Sequence, residues 1–148
     1  MSAQAPKAPR ALVIDDEPHL RLYLAAILRA AGFETAMARD GGEALEKIRV
    51  APPDLVSLDL MMPGEGGLKL YQALKADAAL AAIPVMVVSA VSEKALLHAL
   101  ATLGAGTGTA LPPPGAFVEK PPDPDMVRDA ALALVGALPS VGAGRTVG

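Results

Sequence analysis

The sequence predicts one α/β domain in which a parallel sheet carries helices on both of its faces. Short apolar runs alternate with longer segments whose apolar residues recur every three or four positions, and this alternation is typical of βαβ units. The apolar runs are short and nearly continuous, as expected of strands that are buried on both faces. Neither an internal repeat nor a second domain is indicated.

The predicted strands share one feature: several of them end at a polar residue. The first run stops at Asp15, the third at Asp59 and the fourth at Ser89. The five predicted strands are 11–14, 33–38, 55–58, 84–88 and 116–118.

Five amphipathic segments follow the strands and are predicted to be helices. The first carries its apolar residues on one face and stops at Gly32, a residue that often terminates helices. Ser92 is of the type that caps the amino end of a helix, here the fourth. The predicted helices are 18–31, 42–50, 68–80, 92–103 and 125–138. Right-handed crossovers are expected between successive strands.

The remaining segments are predicted to be irregular. We expect a flexible leader at 1–9, a folded domain at 10–138 and a flexible tail at 139–148. Within the domain, the sequence GAGTGTALPPPG at 104–115 predicts a loop that is neither helix nor strand over most of its length, because glycine and proline disfavour both.

The composition narrows the classes of function. The 148 residues carry a net charge of −3 with no basic stripe, which argues against binding of nucleic acid or an anionic membrane. The absence of cysteine excludes disulfides and thiolate metal sites and is compatible with a reducing cytoplasm. No apolar stretch resembles a signal peptide or is long enough to span a bilayer, so a soluble cytoplasmic protein is expected.

The polar residues at the strand ends are the candidate site. Asp15 and Asp16 follow the first strand, Asp59 the third and Ser89 the fourth, while the fifth leads into Lys120. In open parallel sheets the functional crevice lies beyond the carboxyl ends of the strands, so these residues are expected to converge. Carboxylates that repel one another and include no His or Cys favour Mg²⁺ or Mn²⁺ over zinc.

The chemistry of this set indicates phosphoryl transfer. A carboxylate beside Mg²⁺ can attack a phosphoryl group, while a lysine and a hydroxyl hold the oxygens of that group. Taken singly, each residue is more often a turn or surface residue. The hypothesis depends on the whole set lying at one edge of the sheet.

Five segments of the chain resemble the receiver domain of two-component response regulators. They are LVIDDEP, ARDGGEAL, DLVSLDLMMPGEGG, PVMVVSA and FVEKP, in that order, and the resemblance covers about residues 10–138. The resemblance implies a doubly wound, flavodoxin-like (βα)5 fold with strand order 2-1-3-4-5.

The resemblance also implies roles for the acidic residues. Asp59 corresponds to the phosphoacceptor. Asp15 and Asp16 correspond to the acidic pair that holds Mg²⁺, with Asp16 as the direct ligand, and the backbone carbonyl of Met61 would complete the protein's share of the metal shell. Glu17 is expected to be only a neighbour of this pair.

Three further roles follow from the resemblance. Ser89 and Lys120 correspond to the hydroxyl and the lysine that contact the phosphoryl group. Phe117 falls at the position of the switch aromatic, which in the family changes rotamer as the hydroxyl moves; a core aromatic is the alternative.

The function implied is that of a stand-alone response regulator. It would receive its phosphoryl group from a sensor histidine kinase or a histidine phosphotransfer domain and signal by protein contact through the surface of the fourth helix, fifth strand and fifth helix. We expect no enzymatic activity beyond its own phosphoryl transfer and dephosphorylation, and a monomer or weak homodimer. Its downstream target is not indicated.

The sequence departs from the family pattern in two places. The segment 104–115 makes the stretch between Ser89 and Lys120 unusually long; it is either a tolerated surface insertion or one that reshapes the partner surface or loosens the switch. Met61 and Val91 fall at positions that line the mouth of the pocket in the family; both are apolar here and cannot orient a water by hydrogen bonding, so slow loss of the phosphoryl group is expected.

Two alternative functions stay open from the sequence. A receiver fold can serve as an adaptor without phosphorylation, although the complete set of acidic, hydroxyl and lysine residues argues against it. A hydrolase of the haloacid dehalogenase type would need a second Asp where this chain has Met61. His19 and His98 lack a phosphohistidine context and are expected at the surface.

Overall fold

Five strands and five helices alternate along the chain in the computed structural model, which describes residues 7–62, 64, 66–107 and 111–136. The strands are β1 Arg10–Ile14, β2 Glu34–Ala38, β3 Leu55–Leu58, β4 Val85–Ser89 and β5 Ala116–Glu119. The helices are α1 Pro18–Ala30, α2 Gly41–Val50, α3 Gly66–Ala76, α4 Glu93–Thr107 and α5 Pro124–Leu134.

The strands form one parallel sheet in the order β2-β1-β3-β4-β5. The last residue of β1, Ile14, lies opposite Ala38 of β2 and Leu58 of β3, so these three strands end at the same level. At the other side of the sheet Ser89 lies opposite Glu119. The predicted fold class and the strand order implied by the resemblance are both confirmed.

The core consists of two layers, one on each face of the sheet. Alternate strand residues such as Leu12 and Val56 face α2, α3 and α4. The residues between them, such as Val13 and Leu55, face α1 and α5. The central strands are buried on both faces, which explains why their sequences read as nearly continuous apolar runs, with Ser57 in β3 as an exception, rather than as alternating patterns.

Polar side chains fix the beginnings of several helices. Glu17 accepts hydrogen bonds from the amides of His19 and Leu20 and so caps α1. The Ser92 hydroxyl accepts from the amide of Ala95 at 3.1 Å, which confirms the predicted cap of α4. These caps satisfy amide groups that would otherwise lack partners in the first helical turn.

Two helices, α3 and α5, end four residues before their predicted ends. The prediction of 68–80 is wrong for α3, which begins at Gly66 and ends at Ala76 because the Asp77 carboxylate accepts from the amide of Ala79 and closes a turn. The prediction of 125–138 is wrong for α5, which ends at Leu134 because Gly136 adopts a left-handed conformation with φ of 73°.

The prediction of a loop at 104–115 is also partly wrong, since α4 continues to Thr107. Gly104 is buried on the same face as Leu96 and Leu100, at a spacing of four residues. Packing of that face against the core outweighs the low helix propensity of glycine, about 1 kcal/mol per residue. Residues 108–110 lie outside the described residues.

The described part of the α4–β5 connection, residues 111–115, is fastened to the domain. Leu111 packs against the core, and the buried Tyr71 of α3 donates a hydrogen bond to the carbonyl of Pro112. At the end of the connection the Gly115 amide donates to the carbonyl of Val85 at 2.9 Å. Burial raises the pKa of Tyr71 to about 12, so its hydroxyl stays protonated as a donor well into the alkaline range.

Most of the predicted leader and all of the predicted tail, residues 1–6 and 139–148, lie outside the described residues. Among the helices that are described, none has the length and apolar character required to cross a membrane.

Tyr71→Phe should lower the free energy of unfolding by about 1 kcal/mol, because it leaves the Pro112 carbonyl without its partner. Chemical denaturation monitored by circular dichroism would measure the change. Tyr23→Phe is the matched control, since Tyr23 lies on α1 with 42% of its surface exposed, and should change stability little. Equal stability of the two variants would contradict this role for Tyr71.

Candidate functional site

Asp15, Asp59 and Lys120 each directly follow the last residue of a strand, and Ser89 is itself the last residue of β4. The Asp15 amide donates to the carbonyl of Ala38 at 3.2 Å, and the Asp59 amide donates to the carbonyl of Ile14 at 3.0 Å. Across β4 and β5, the Lys120 amide donates to the carbonyl of Ser89 at 2.8 Å. The pairing of the sheet therefore fixes the main chain at these four candidate positions.

The topology opens a crevice at this edge. After β1 the chain turns to α1 on one face of the sheet, and after β3 it turns to α3 on the opposite face. Because neighbouring connections diverge, a space is left between the ends of β1 and β3. Asp15, Asp16 and Asp59 border that space.

The three carboxylates form a compact acidic cluster. One oxygen from each of Asp15, Asp16 and Asp59 lies within 4.8 Å of the others. Asp15 and Asp59 are buried, whereas Asp16 is exposed. The cluster that the sequence predicted is thus assembled, with two members withdrawn from solvent and one at the mouth of the crevice.

Lys120 is the positive charge of the site. Its Nζ atom lies 3.3 Å from Asp15 Oδ2 and 3.3 Å from Asp59 Oδ2. Burial raises the pKa of Asp15, while the hydrogen bond from the Glu17 amide and the charge of Lys120 oppose that rise. The peptide bond between Lys120 and Pro121 is cis.

The donor set fits a hard divalent cation. Asp15 Oδ2 is buried and has no hydrogen-bond partner beyond the ion pair with Lys120, so it has lone pairs free to coordinate a cation. All three side chains offer oxygen, the ligand that Mg²⁺ and Mn²⁺ prefer. The role of the Met61 carbonyl as a further ligand stays a prediction.

The phosphoacceptor candidate is held by its neighbours. The Met61 amide donates to Asp59 Oδ1 at 2.9 Å, and Lys120 faces the other oxygen, so both carboxylate oxygens have partners. The Met61 side chain itself is 60% exposed. Val91 is half-buried, and its amide approaches the Ser89 hydroxyl at 3.4 Å.

The two remaining candidates lie further along the sheet. Ser89 is fully buried at the end of β4. Phe117 lies in β5 opposite Val87, half-buried, and packs against the core layer of α3 and α4. This position accommodates the core role as well as the switch role, so the switch role stays a prediction. His19 and His98 are both exposed, as expected.

Sequence reasoning missed two residues that shape the site. Arg21 of α1 donates from Nη1 to the backbone carbonyl of Asp15 at 2.7 Å. Gly67 of α3 lies against the backbone of Asp59 and Leu60, where a Cβ atom would come within 2.6 Å of Leu60 Cα. The sequence does carry signals for both residues: a basic residue one turn into α1, and a Gly-Gly pair at the start of α3.

The chain matches a protein family and several curated proteins over most of its length or a large part of it. The family model described as the response regulator receiver domain matches residues 11–130. The DNA-binding response regulator MtrA of Mycolicibacterium smegmatis is 42% identical over 84 residues, which are 57% of this chain and 36% of that protein. A protein-glutamate methylesterase/protein-glutamine glutaminase of Myxococcus xanthus is 46% identical over 99 residues, 66% of this chain and 28% of that protein.

Solved structures show the same fold. The receiver domain of NtrX from Brucella abortus superposes with a TM-score of 0.67 at 29% identity, over 86% of this chain and 99% of that one. The chemotaxis response regulator CheY4 of Vibrio cholerae superposes with a TM-score of 0.70 at 22% identity, also over 86% and 99%. The chain spans about a third or less of the length of the curated relatives named above.

Gly67→Ala should destabilise the protein by about 1–3 kcal/mol or more, because the added methyl group overlaps backbone atoms of Asp59 and Leu60 that cannot move independently of the sheet. Thermal and chemical unfolding would measure the loss. Gly106→Ala is the control: it lies in α4 with nothing near its Cβ position and should preserve or raise stability. A Gly67→Ala protein as stable as Gly106→Ala would show that the contact is not tight.

Proposed function

The chain belongs to the response regulator receiver domain family, and on this premise we propose that Asp59 accepts a phosphoryl group from a histidine kinase or a histidine phosphotransfer domain. One observation carries the proposal: a single ammonium group, that of Lys120, lies 3.3 Å from two buried carboxylates in a cluster of three. Such an arrangement combines a nucleophile, a cation site and a charge for the transferred group at one place.

In this proposal the acidic residues prepare the site for transfer. The carboxylates of Asp15, Asp16 and Asp59, with the carbonyl of Met61, would hold Mg²⁺ or Mn²⁺. When bound, the cation neutralises charge on the transferring oxygens. The Met61 amide fixes the Asp59 carboxylate, so that a lone pair of Asp59 can form the new bond to phosphorus as the bond to the donor breaks.

The remaining residues respond to the product. Lys120 already faces Asp59 and would pair with a phosphoryl oxygen, while the Ser89 hydroxyl would donate to another. Phe117 would follow Ser89 by changing rotamer. These movements would alter the surface formed by α4, β5 and α5.

The output of the protein is proposed to be contact with another protein. A groove of about 580 Å³ lies between α4, β5 and α5, and Phe117 lines it together with Leu97 and Met126. Leu97 and Met126 are among the exposed large apolar residues of the described part of the chain. It stays a prediction that the protein signals through this surface as a stand-alone regulator. Three further points also stay predictions: that it binds neither nucleic acid nor membrane, that it is a monomer or weak homodimer, and that it is cytoplasmic.

The alternatives make different predictions. An adaptor would bind its partner without accepting phosphate, and a hydrolase would turn over phosphate esters repeatedly. We propose that the chain catalyses only its own phosphoryl transfer and dephosphorylation. The buried pairing of Lys120 with both carboxylates favours transfer over the adaptor, because an adaptor has no need for buried charge.

Incubation with acetyl phosphate and Mg²⁺ should add the mass of one phosphoryl group to the intact protein, since the donor needs only the nucleophile and the cation site. Asp59→Asn should abolish the addition, and chelation of the metal should prevent it. Asp54→Asn, at an acidic residue outside the cluster, is the control and should be labelled normally. No mass shift in the wild type would favour the adaptor, and continued release of phosphate from esters would favour the hydrolase.

Met61→Asn should shorten the lifetime of the phosphoryl group severalfold, because an amide at this exposed position can orient a water toward Asp59. The decay of the phosphorylated protein would be followed by intact mass after removal of the donor. Met61→Leu keeps the position apolar and should decay as the wild type does. A wild-type lifetime of only seconds would contradict the expectation that loss is slow.

A further inference from the structure

Arg21 makes a contact that the proposed phosphoryl transfer does not use. It lies on α1, and its guanidinium donates from Nη1 to the backbone carbonyl of Asp15 at 2.7 Å in a partly buried environment. A guanidinium bonded to a main-chain carbonyl is a charge-assisted hydrogen bond, which is stronger than a neutral one. The contact therefore ties α1 to the turn that carries the acidic pair.

The carbonyl in question belongs to the peptide group that joins Asp15 to Asp16. Because a peptide group is planar, holding its oxygen also fixes the direction of its amide and the position of the Asp16 Cα atom. The sheet restrains Asp15 through its amide, but Asp16 lies beyond the last rung, with an exposed side chain. Arg21 thus restrains the one carboxylate of the cluster that burial does not.

The remainder of the turn is organised around the same residue. The Glu17 amide donates to Asp15 Oδ1 at 2.9 Å, and the Glu17 carboxylate caps α1. Asp15 is consequently held at its amide, its carboxylate and its carbonyl. The hydrogen bonds at its amide and its carboxylate are made with main-chain groups, and Lys120 adds an ion pair at the carboxylate; the hydrogen bond at its carbonyl comes from the Arg21 side chain.

We propose that Arg21 is a positioning residue for the cation site: it orients Asp16 toward Asp15 and Asp59, so that the three carboxylates can bind a divalent cation together. The inference rests on the proposed function, because it concerns the same cluster. It adds a residue of the first helix to the set that the strand ends supply.

Arg21 has two opposing effects on the affinity of the cluster for a cation. The direction in which the affinity changes when Arg21 is replaced therefore tests the proposal. Its positive charge repels a cation at the cluster, so removal of the charge alone would tighten binding. Its hydrogen bond orients a ligand, so removal of that bond would weaken binding; outer-shell partners of metal ligands typically contribute about 10- to 100-fold in affinity. If positioning dominates, loss of Arg21 weakens binding despite the loss of repulsion.

The experiment is titration of the full chain with Mg²⁺ by isothermal titration calorimetry. Arg21→Met should raise the Kd about tenfold, and Arg21→Lys, which keeps a donor and the charge, should recover part of the loss. Arg29→Met is the matched control, since it removes the same charge from the last turn of α1 and should bind as the wild type does. Unchanged or tighter binding by Arg21→Met would overturn the proposal.

A second measurement needs no metal. Hydrogen exchange of the Glu17 amide, which reports on the turn, should be faster in Arg21→Met than in the wild type and in Arg29→Met. Equal exchange rates would count against positioning. Should Arg21→Met fail to fold, Arg21→Gln takes its place in both measurements.

Asp16→Asn separates this inference from the proposed function. A wild type that binds no Mg²⁺, or an Asp16→Asn variant that binds it equally well, would remove the cation site itself. The conclusion differs if the wild type binds Mg²⁺, Asp16→Asn does not bind it and Arg21→Met binds it like the wild type. That result would leave the cation site in place and remove only the role of Arg21.

Discussion

The burial of two carboxylates beside one ammonium group is the interaction on which this edge of the protein depends. Asp15 and Asp59 are withdrawn from water, and a buried charge without a partner costs several kcal/mol. Lys120 is their common partner, although it follows β5 and the carboxylates follow β1 and β3. Its long side chain must pass the end of β4, so the ends of four strands have to stay in register for the charges to meet.

The register is maintained by main-chain pairing rather than by the charges. Hydrogen bonds continue the ladder from Asp15 to β2 and from Asp59 to β1, and the polar side chains project from this frame. On one side Gly67 lets α3 lie directly on the Asp59 backbone; on the other Arg21 binds the Asp15 carbonyl. The two helices beside the crevice are therefore each attached to the strand end next to them.

Much of this could be predicted from the sequence, and the limits have physical causes. Short apolar runs and helical periodicity located all ten elements, and the polar residues that end apolar runs located the candidate site, because a parallel sheet collects its strand ends at one edge. The end of α4 was missed because helix propensity is local, whereas the burial of Gly104 is decided by tertiary packing. The bond from Tyr71 to Pro112 joins residues 41 apart and leaves no local pattern.

The charges of the cluster also constrain how the proposed reaction can proceed. Three carboxylates lie in the cluster and Lys120 pairs with two of them, so the described cluster carries an excess of negative charge before any phosphoryl group arrives. A phosphoryl group on Asp59 would add further negative charge and draw Lys120 away from Asp15. Asp15, whose pKa is already raised by burial, would then need another positive charge close by. A divalent cation held by the same carboxylates meets that need, so the cation site and the lysine are two parts of one charge balance.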